Sequence, residues 1–320
     1  MYSEALVQLA LNASSYSPKE LAFRLGTSPA EIGKWHDGEL MSPEMEDKVR
    51  AIANIGHRDP SFVLWAGSLE DADKWEKLIR FLAETARRDA ETGYNTDPLQ
   101  DEEGVLCWST FHTLREMGVD LPQPFPKELD FDYERTYGEG SDAVWDLLLE
   151  KNPYSALIYK LYTSLNDVYG FYTAYVRELI FDDELALSDT GADNIEPCLI
   201  DLAAAKLEVD EALAPRIRRF RRRVMKDYSE WLAVVKDRAF RAGVPLRAEL
   251  LGMVHKSADE LGREAEAESL GLSARRVHPD VYMNELLCGM RAIHQILPAV
   301  MKKLGIKADE FKLDRSEFHV

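Results

Sequence analysis

The densest group of chemically capable side chains is a run of arginines, Arg216, Arg218, Arg219, Arg221, Arg222 and Arg223, with Lys226 just beyond. A guanidinium presents five donors in a planar fork and binds phosphate or carboxylate through two parallel bonds. On a helix, Ile217, Phe220, Val224 and Tyr228 fall on one apolar stripe, and the arginines occupy the rest of the circumference. Two readings follow. The run is a second basic surface for nucleic acid or an acidic partner, or it is an internal clamp that pairs with the acidic region 70–150 of the same chain. In a chain this acidic the clamp is preferred.

Other reactive residue types are scattered. The seven histidines, His36, His57, His112, His255, His278, His294 and His319, show no HExxH or other ligand spacing. No GxSxG, P-loop or GxGxxG is present. Cys107, Cys198 and Cys288 lie too far apart for a metal-site motif and are expected to be reduced and buried. The acidic pairs Glu102/Glu103 and Asp182/Asp183 sit in charged stretches that read as solvated faces. Tyr154, Tyr159, Tyr162, Tyr169, Tyr172 and Tyr175 line one helix; they suit a small-molecule wall, and helical core is the commoner use. No catalytic residue, metal or cofactor is therefore expected, and the chain does not read as an enzyme.

Composition places these residues in a folded chain. Of 320 residues, 46% are hydrophobic and 30% charged. No apolar run approaches the ~20 residues that span a bilayer. Met1-Tyr2-Ser3-Glu4 lacks the basic start of a secretory signal, so a cytoplasmic protein with no membrane partner is expected. The net charge of −18 is unevenly spread. Residues 70–150 hold 21 Asp or Glu against 8 Lys or Arg, whereas residues 215–242 hold 10 basic and 3 acidic side chains.

The elements that must position these side chains are helices. Ser17-Pro18, Ser28-Pro29 and Ser42-Pro43 are three helix starts, serine capping the free N–H groups and proline presetting φ. Glu20 and Glu31, three residues after their caps, complete capping boxes. Longer helices are predicted from Ser68 to about Glu91 and from Asp97 to Met117. Residues 119–140, with Pro122, Pro124 and Pro126, read as a loop or linker. Ser141 begins another helix, and helical spacing runs from Pro153 to about Asp182. After a polar break at 188–194, a helix reaches Leu207. Pro215 opens the basic helix to Ala242, another spans Pro245 to Leu270, and Pro279 opens the last, which Pro298 kinks. No segment alternates as a strand would. The fold class is all-α.

Residues 17–43, SPKELAFRLGTSPAEIGKWHDGELMSP, carry the most specific pattern. Leu21, Ala22 and Leu25 face inward from the first helix, and small Ala22 lets the second pack close. Gly26 permits the positive φ of a tight turn. Ile32 and Trp35 anchor the second helix, Gly38 ends it, and Leu6–Leu11 and Val49–Ile55 supply flanking core. This stretch resembles a Cro/C1-type (XRE-like) helix-turn-helix domain over about 50 residues; the remainder resembles no family. The resemblance implies a small N-terminal domain, residues 1–60, followed by a larger helical domain or bundle, residues 61–320, with a sub-boundary in 119–140.

The family lays its second motif helix in the major groove of double-stranded DNA, reading an operator near the helix start. Carried onto this chain, the groove positions are Ser28, Pro29, Ala30, Gly33 and Lys34, with Lys19, Arg24, His36 and Lys48 as phosphate contacts. The implied function is a DNA-binding transcriptional regulator that acts as a homodimer, its C-terminal helices dimerising or sensing a ligand. Residues 1–60 hold 6 basic and 9 acidic side chains, and Asp37 and Glu39 follow the second helix where phosphate would be repelled. A second reading therefore stays open: an adaptor whose helix-turn-helix contacts a protein partner rather than DNA.

Overall fold

Serine followed by proline starts three of the first four helices in the computed structural model, which describes residues 2–133, 142–244, 246–272 and 283–306. The helices are α1 (Tyr2–Ser14), α2 (Pro18–Leu25), α3 (Pro29–His36) and α4 (Pro43–Ala53). Ser17 accepts from the Glu20 amide at 3.3 Å, and Glu20 accepts from the Ser17 amide at 2.8 Å, a full capping box. Ser28 accepts from the Glu31 amide at 3.2 Å, but the Glu31 carboxylate turns to Lys34 at 3.1 Å, so the second box is only half made. Ser42 accepts from the Met45 amide at 3.4 Å.

These four helices bury Leu6, Val7, Leu21, Ala22, Ile32, Trp35 and Val49, the inward positions their spacing implied, with Ile55 added from the loop beyond. α1 packs on α3 and α4. A polar tie closes the group. The Tyr2 hydroxyl donates to Glu46 at 2.5 Å, and the Arg50 guanidinium meets Glu46 at 3.0 Å and donates to Tyr2. Arg50 also donates to the carbonyls of Gly56 and Arg58 at 3.1 and 3.0 Å.

Beyond residue 60 follow α5 (Pro60–Ala66), capped by Asp59, and α6 (Leu69–Arg88), capped by Ser68. α6 stops three residues earlier than predicted. The single helix expected over 97–117 divides into α7 (Asp97–Gln100) and α8 (Leu106–Met117). Asp101 and Gly104 take positive φ between them, and the Asp101 carboxylate accepts from the Leu106 amide at 2.8 Å, starting α8 anew. The proline-rich stretch is packed rather than free as far as it is described. Phe125, Leu129 and Tyr133 are buried, and Phe125 meets Trp75 edge to face at 4.9 Å.

After α9 (Asp142–Asp146) and a π-helical turn, Leu147–Lys151, comes the central helix α10 (Pro153–Tyr175). It stops at Tyr175, short of Asp182, and α11 (Arg177–Ile180) follows. α10 packs on α6, on α12 (Leu199–Lys206) and, after α13 (Ile217–Ala242) and α14 (Gly252–His255), on α15 (Ala258–Ser269). Its buried polar groups are paired: Asn166 accepts from Thr96 and donates to the Ala86 carbonyl, both at 2.7 Å, and Ser164 donates to the Ala203 carbonyl at 3.0 Å. The helix predicted over 245–270 is broken, because Ser257 and Glu260 form a second full capping box that begins α15 afresh. α16 (Met283–Leu304) touches α13 and contains Pro298.

The described residues form sixteen α-helices and no strand, an all-α fold. No described helix is long and apolar enough to cross a membrane. Ser141, Pro245, Pro279, His278 and His319 lie outside the described residues, as does the side chain of Cys288.

Candidate nucleic-acid interface

α2 and α3 are joined by three residues, and Gly26 takes φ +69° at the end of α2, where its amide bonds back to the carbonyls of Ala22 and Phe23. Nothing lies within 4 Å of where a Cβ at Gly26 would stand, so the glycine is there for its backbone angle alone. With Ile32 and Trp35 buried, the outward surface of α3 consists of Pro29, Ala30, Gly33, Lys34 and His36 together with the partly exposed acid Glu31, beginning at the exposed cap Ser28. Lys19, Arg24 and Lys48 are exposed as well, so all nine positions assigned by resemblance reach solvent.

Their charges are partly engaged. Glu31 pairs with Lys34 and holds its ammonium above the usual lysine range. Lys48 pairs with Glu44 at 2.7 Å, and the Nδ1 of His36 lies 3.9 Å from Asp37. Arg24 lies over the ring of Tyr16, 5.6 Å from its centre. Each contact is within or next to the cation's own helix and sits at the surface, where such pairs exchange readily with other anions.

Two apolar side chains on this unit were not singled out by sequence reasoning. Phe23, on α2, is 88% exposed, and Leu40, between α3 and α4, is 89% exposed. The helical spacing of α2 puts Phe23 opposite Leu21 and Leu25, a signal that was legible in the sequence.

The arginine run divides by direction. Arg218 pairs with Glu211 at 2.6 Å. Arg221 donates to the carbonyls of Ala205, at 3.0 Å, and Leu207. Arg223 meets Asp201 at 3.1 Å and Glu116 at 3.3 Å, and Arg216 donates to the carbonyl of Arg115. Arg219 and Arg222 are exposed. Ile217, Phe220, Val224 and Tyr228 are buried, and α13 extends that stripe through Trp231, Leu232 and Val235.

Comparison of the chain with protein-family models, curated proteins and solved structures gave no match. The function must be argued from the residues themselves.

No group of three or more metal-ligating side chains occurs among the described residues. Cys107 is buried, and burial pushes its thiol well up; Cys198, expected to be buried, is exposed at the start of α12. Cys198 borders a cavity of about 360 Å³ between α12 and α13, where Tyr228 and Trp231 supply the wall. The nearby carboxylate of Asp201 is already bonded by Thr113 at 2.7 Å and by Arg223. The tyrosines of α10 are ties rather than a pocket wall. Tyr162 bonds Thr110 at 2.7 Å, Tyr169 donates to Asp97 at 2.8 Å and Tyr159 to Asp89 at 3.2 Å.

Proposed function

We propose that this chain is a DNA-binding regulator that contacts duplex DNA through the outward face of α3 and the adjoining end of α2. The observation that carries the reading is the exposed set Ser28, Pro29, Ala30, Gly33 and Lys34 at the start of a short helix anchored from behind by Ile32 and Trp35. Small residues there allow close approach to base edges, and a thymine methyl is the natural partner of Ala30. Lys34, paired with Glu31, supplies the positive charge on that face, and Lys19, Arg24, His36 and Lys48 are read as the backbone contacts. So few phosphate contacts give one unit only weak affinity, on the order of 10⁻⁴–10⁻⁶ M for non-specific binding. Two linked units on paired half-sites make up the difference through effective concentration.

The test is titration of the purified chain against fragments of its own upstream region, from about 50 to about 200 mM salt, with scrambled competitor DNA. Binding that survives the competitor and falls with a shallow log–log salt slope supports the reading. No binding at low salt overturns it.

One observation favours a second reading. Phe23 and Leu40 expose large apolar surface on this same small unit, as a protein-contact face does. On that reading the unit is an adaptor module, and a stoichiometric protein partner replaces the operator. Loss of that partner on Phe23→Ser with Leu40→Ser, in a chain without DNA affinity, distinguishes the two.

A further inference from the structure

The apolar residues of α16 recur at Met290, Ile293, Leu297, Val300 and Leu304, alternating steps of three and four. This is close to the 3.5-residue period of the a and d positions in a coiled-coil seam, widened by Ile296 and carrying Pro298, which has no N–H for the helix, between Leu297 and Val300. All five are between 42% and 68% exposed, and Ile296 and Ile306 beside them are exposed too. Elsewhere in the described chain such stripes are covered; α13, which α16 touches, buries Ile217, Phe220, Val224 and Tyr228 almost completely.

We infer that a second copy of this chain pairs along the α16 stripe, making a homodimer. Three considerations select that occupant. An apolar stripe of this period is complementary to itself, because each side chain finds on an identical helix the gap between two others. The area is sufficient: the five seam side chains and Ile296, at roughly 100 Å² each, give about 1,200 Å² for a pair, at the lower end of stable interfaces. The seam carries no charge at its five positions, while Lys302 and Lys303 stand off the stripe, so no like charges are buried when two copies meet. The inference supplies the linkage that the paired half-sites of the proposed function need. It rests on α16 alone, and it stands or falls separately from DNA binding by α2 and α3.

The test is the molar mass of the full chain in solution by light scattering across about 1 to 100 μM, for the wild type and for Ile293→Glu with Leu297→Glu. The expected result is a dimer for the wild type and a monomer for the double variant with unchanged helical circular dichroism. Both substituted positions are exposed, so the fold is retained. The gentler pair Ile293→Ser with Leu297→Ser gives an intermediate dissociation constant, and Gln295→Glu, off the stripe, leaves the dimer intact. A monomeric wild type at the highest concentration overturns the inference, as does a double variant that stays dimeric. A wild-type dimer without DNA affinity retains the seam and removes the regulator reading.

Discussion

The carboxylate of Asp167 on α10 fills the space that a side chain at Gly262 on α15 would need: a Cβ there would stand 2.1 Å from Oδ1 and 2.7 Å from Cγ. The two helices cross in close contact because one contributes no side chain where the other contributes an acid. Gly262→Ala forces Asp167 from its position and is expected to cost about 1–3 kcal/mol, read from denaturant unfolding. In an Asp167→Ala background the same change costs much less, and a double-mutant cycle measures the coupling. Equal costs in both backgrounds would contradict the steric account.

Asp167 also makes stability depend on pH. Burial, with Asp259 and Glu91 adding negative charge, raises its carboxyl to about 7, and Arg263 offsets this only in part. An acid whose pKa is higher folded than unfolded stabilises the fold while it is protonated. That contribution is complete below the ordinary aspartate value and is lost as pH rises through about 7. Asp167→Asn cannot ionise, so its melting temperature relative to wild type should climb between pH 5 and pH 8. A constant difference across that interval would show that the group titrates normally.

Gly26 sets a contrasting case. Its surroundings are empty, and only its φ of +69° resists a side chain. Gly26→Ala is expected to destabilise by about 1 kcal/mol, the cost of a left-handed alanine. Gly26→Asn, better suited to that conformation, should recover part of the loss in thermal melts.

Arg50 joins α1, α4 and the loop before α5, through Tyr2, Glu46 and the carbonyls of Gly56 and Arg58. Arg50→Met keeps the aliphatic stem and removes every one of these bonds. The expected loss is about 2 kcal/mol, since charged hydrogen bonds to partly buried partners are at stake. Hydrogen exchange should show the amides around Gly56 losing protection before those of α10. Unaltered exchange there would locate the stabilisation elsewhere.

For the α3 face, Lys34→Ala and Arg24→Ala should each weaken binding to a specific DNA fragment while leaving the melting temperature within a degree or two. Lys34 is exposed and pairs only across one turn with Glu31, and Arg24 lies on the surface over Tyr16. Removal of one phosphate contact also lowers the salt slope by about 1. Unchanged affinity in both variants would count against the placement of DNA on this face.

What the sequence disclosed was the local grammar. Ser17, Ser28 and Ser42 cap as their Ser-Pro pairs imply, and the buried stripe of α13 follows from residue spacing alone. Two helices that residue spacing reads as continuous are each broken by a capping signal inside the run: Asp101 with Gly104 in one, Ser257 with Glu260 in the other. A carboxylate or serine in mid-run reads as a solvated helix residue until its partner amide is known. Side-chain direction was also beyond reach. No spacing rule shows that Arg221 turns to the carbonyls at the end of α12 while Arg222, its neighbour, faces water. The close crossing at Gly262 joins residues 95 positions apart, and a lone glycine in a helical run does not announce its partner.

The apolar core runs without interruption from Leu6 in α1 to Leu261 in α15, crossing at the edge-to-face contact of Phe62 and Phe111. Units that share a core melt together. A molecule captured on the surface of α2 and α3 is therefore felt as a delay in the melting of the entire shared core, and so is one captured in the cavity beside Trp231. A single thermal-shift screen would then report on ligands at either end of the molecule, with no need to know beforehand which end they occupy.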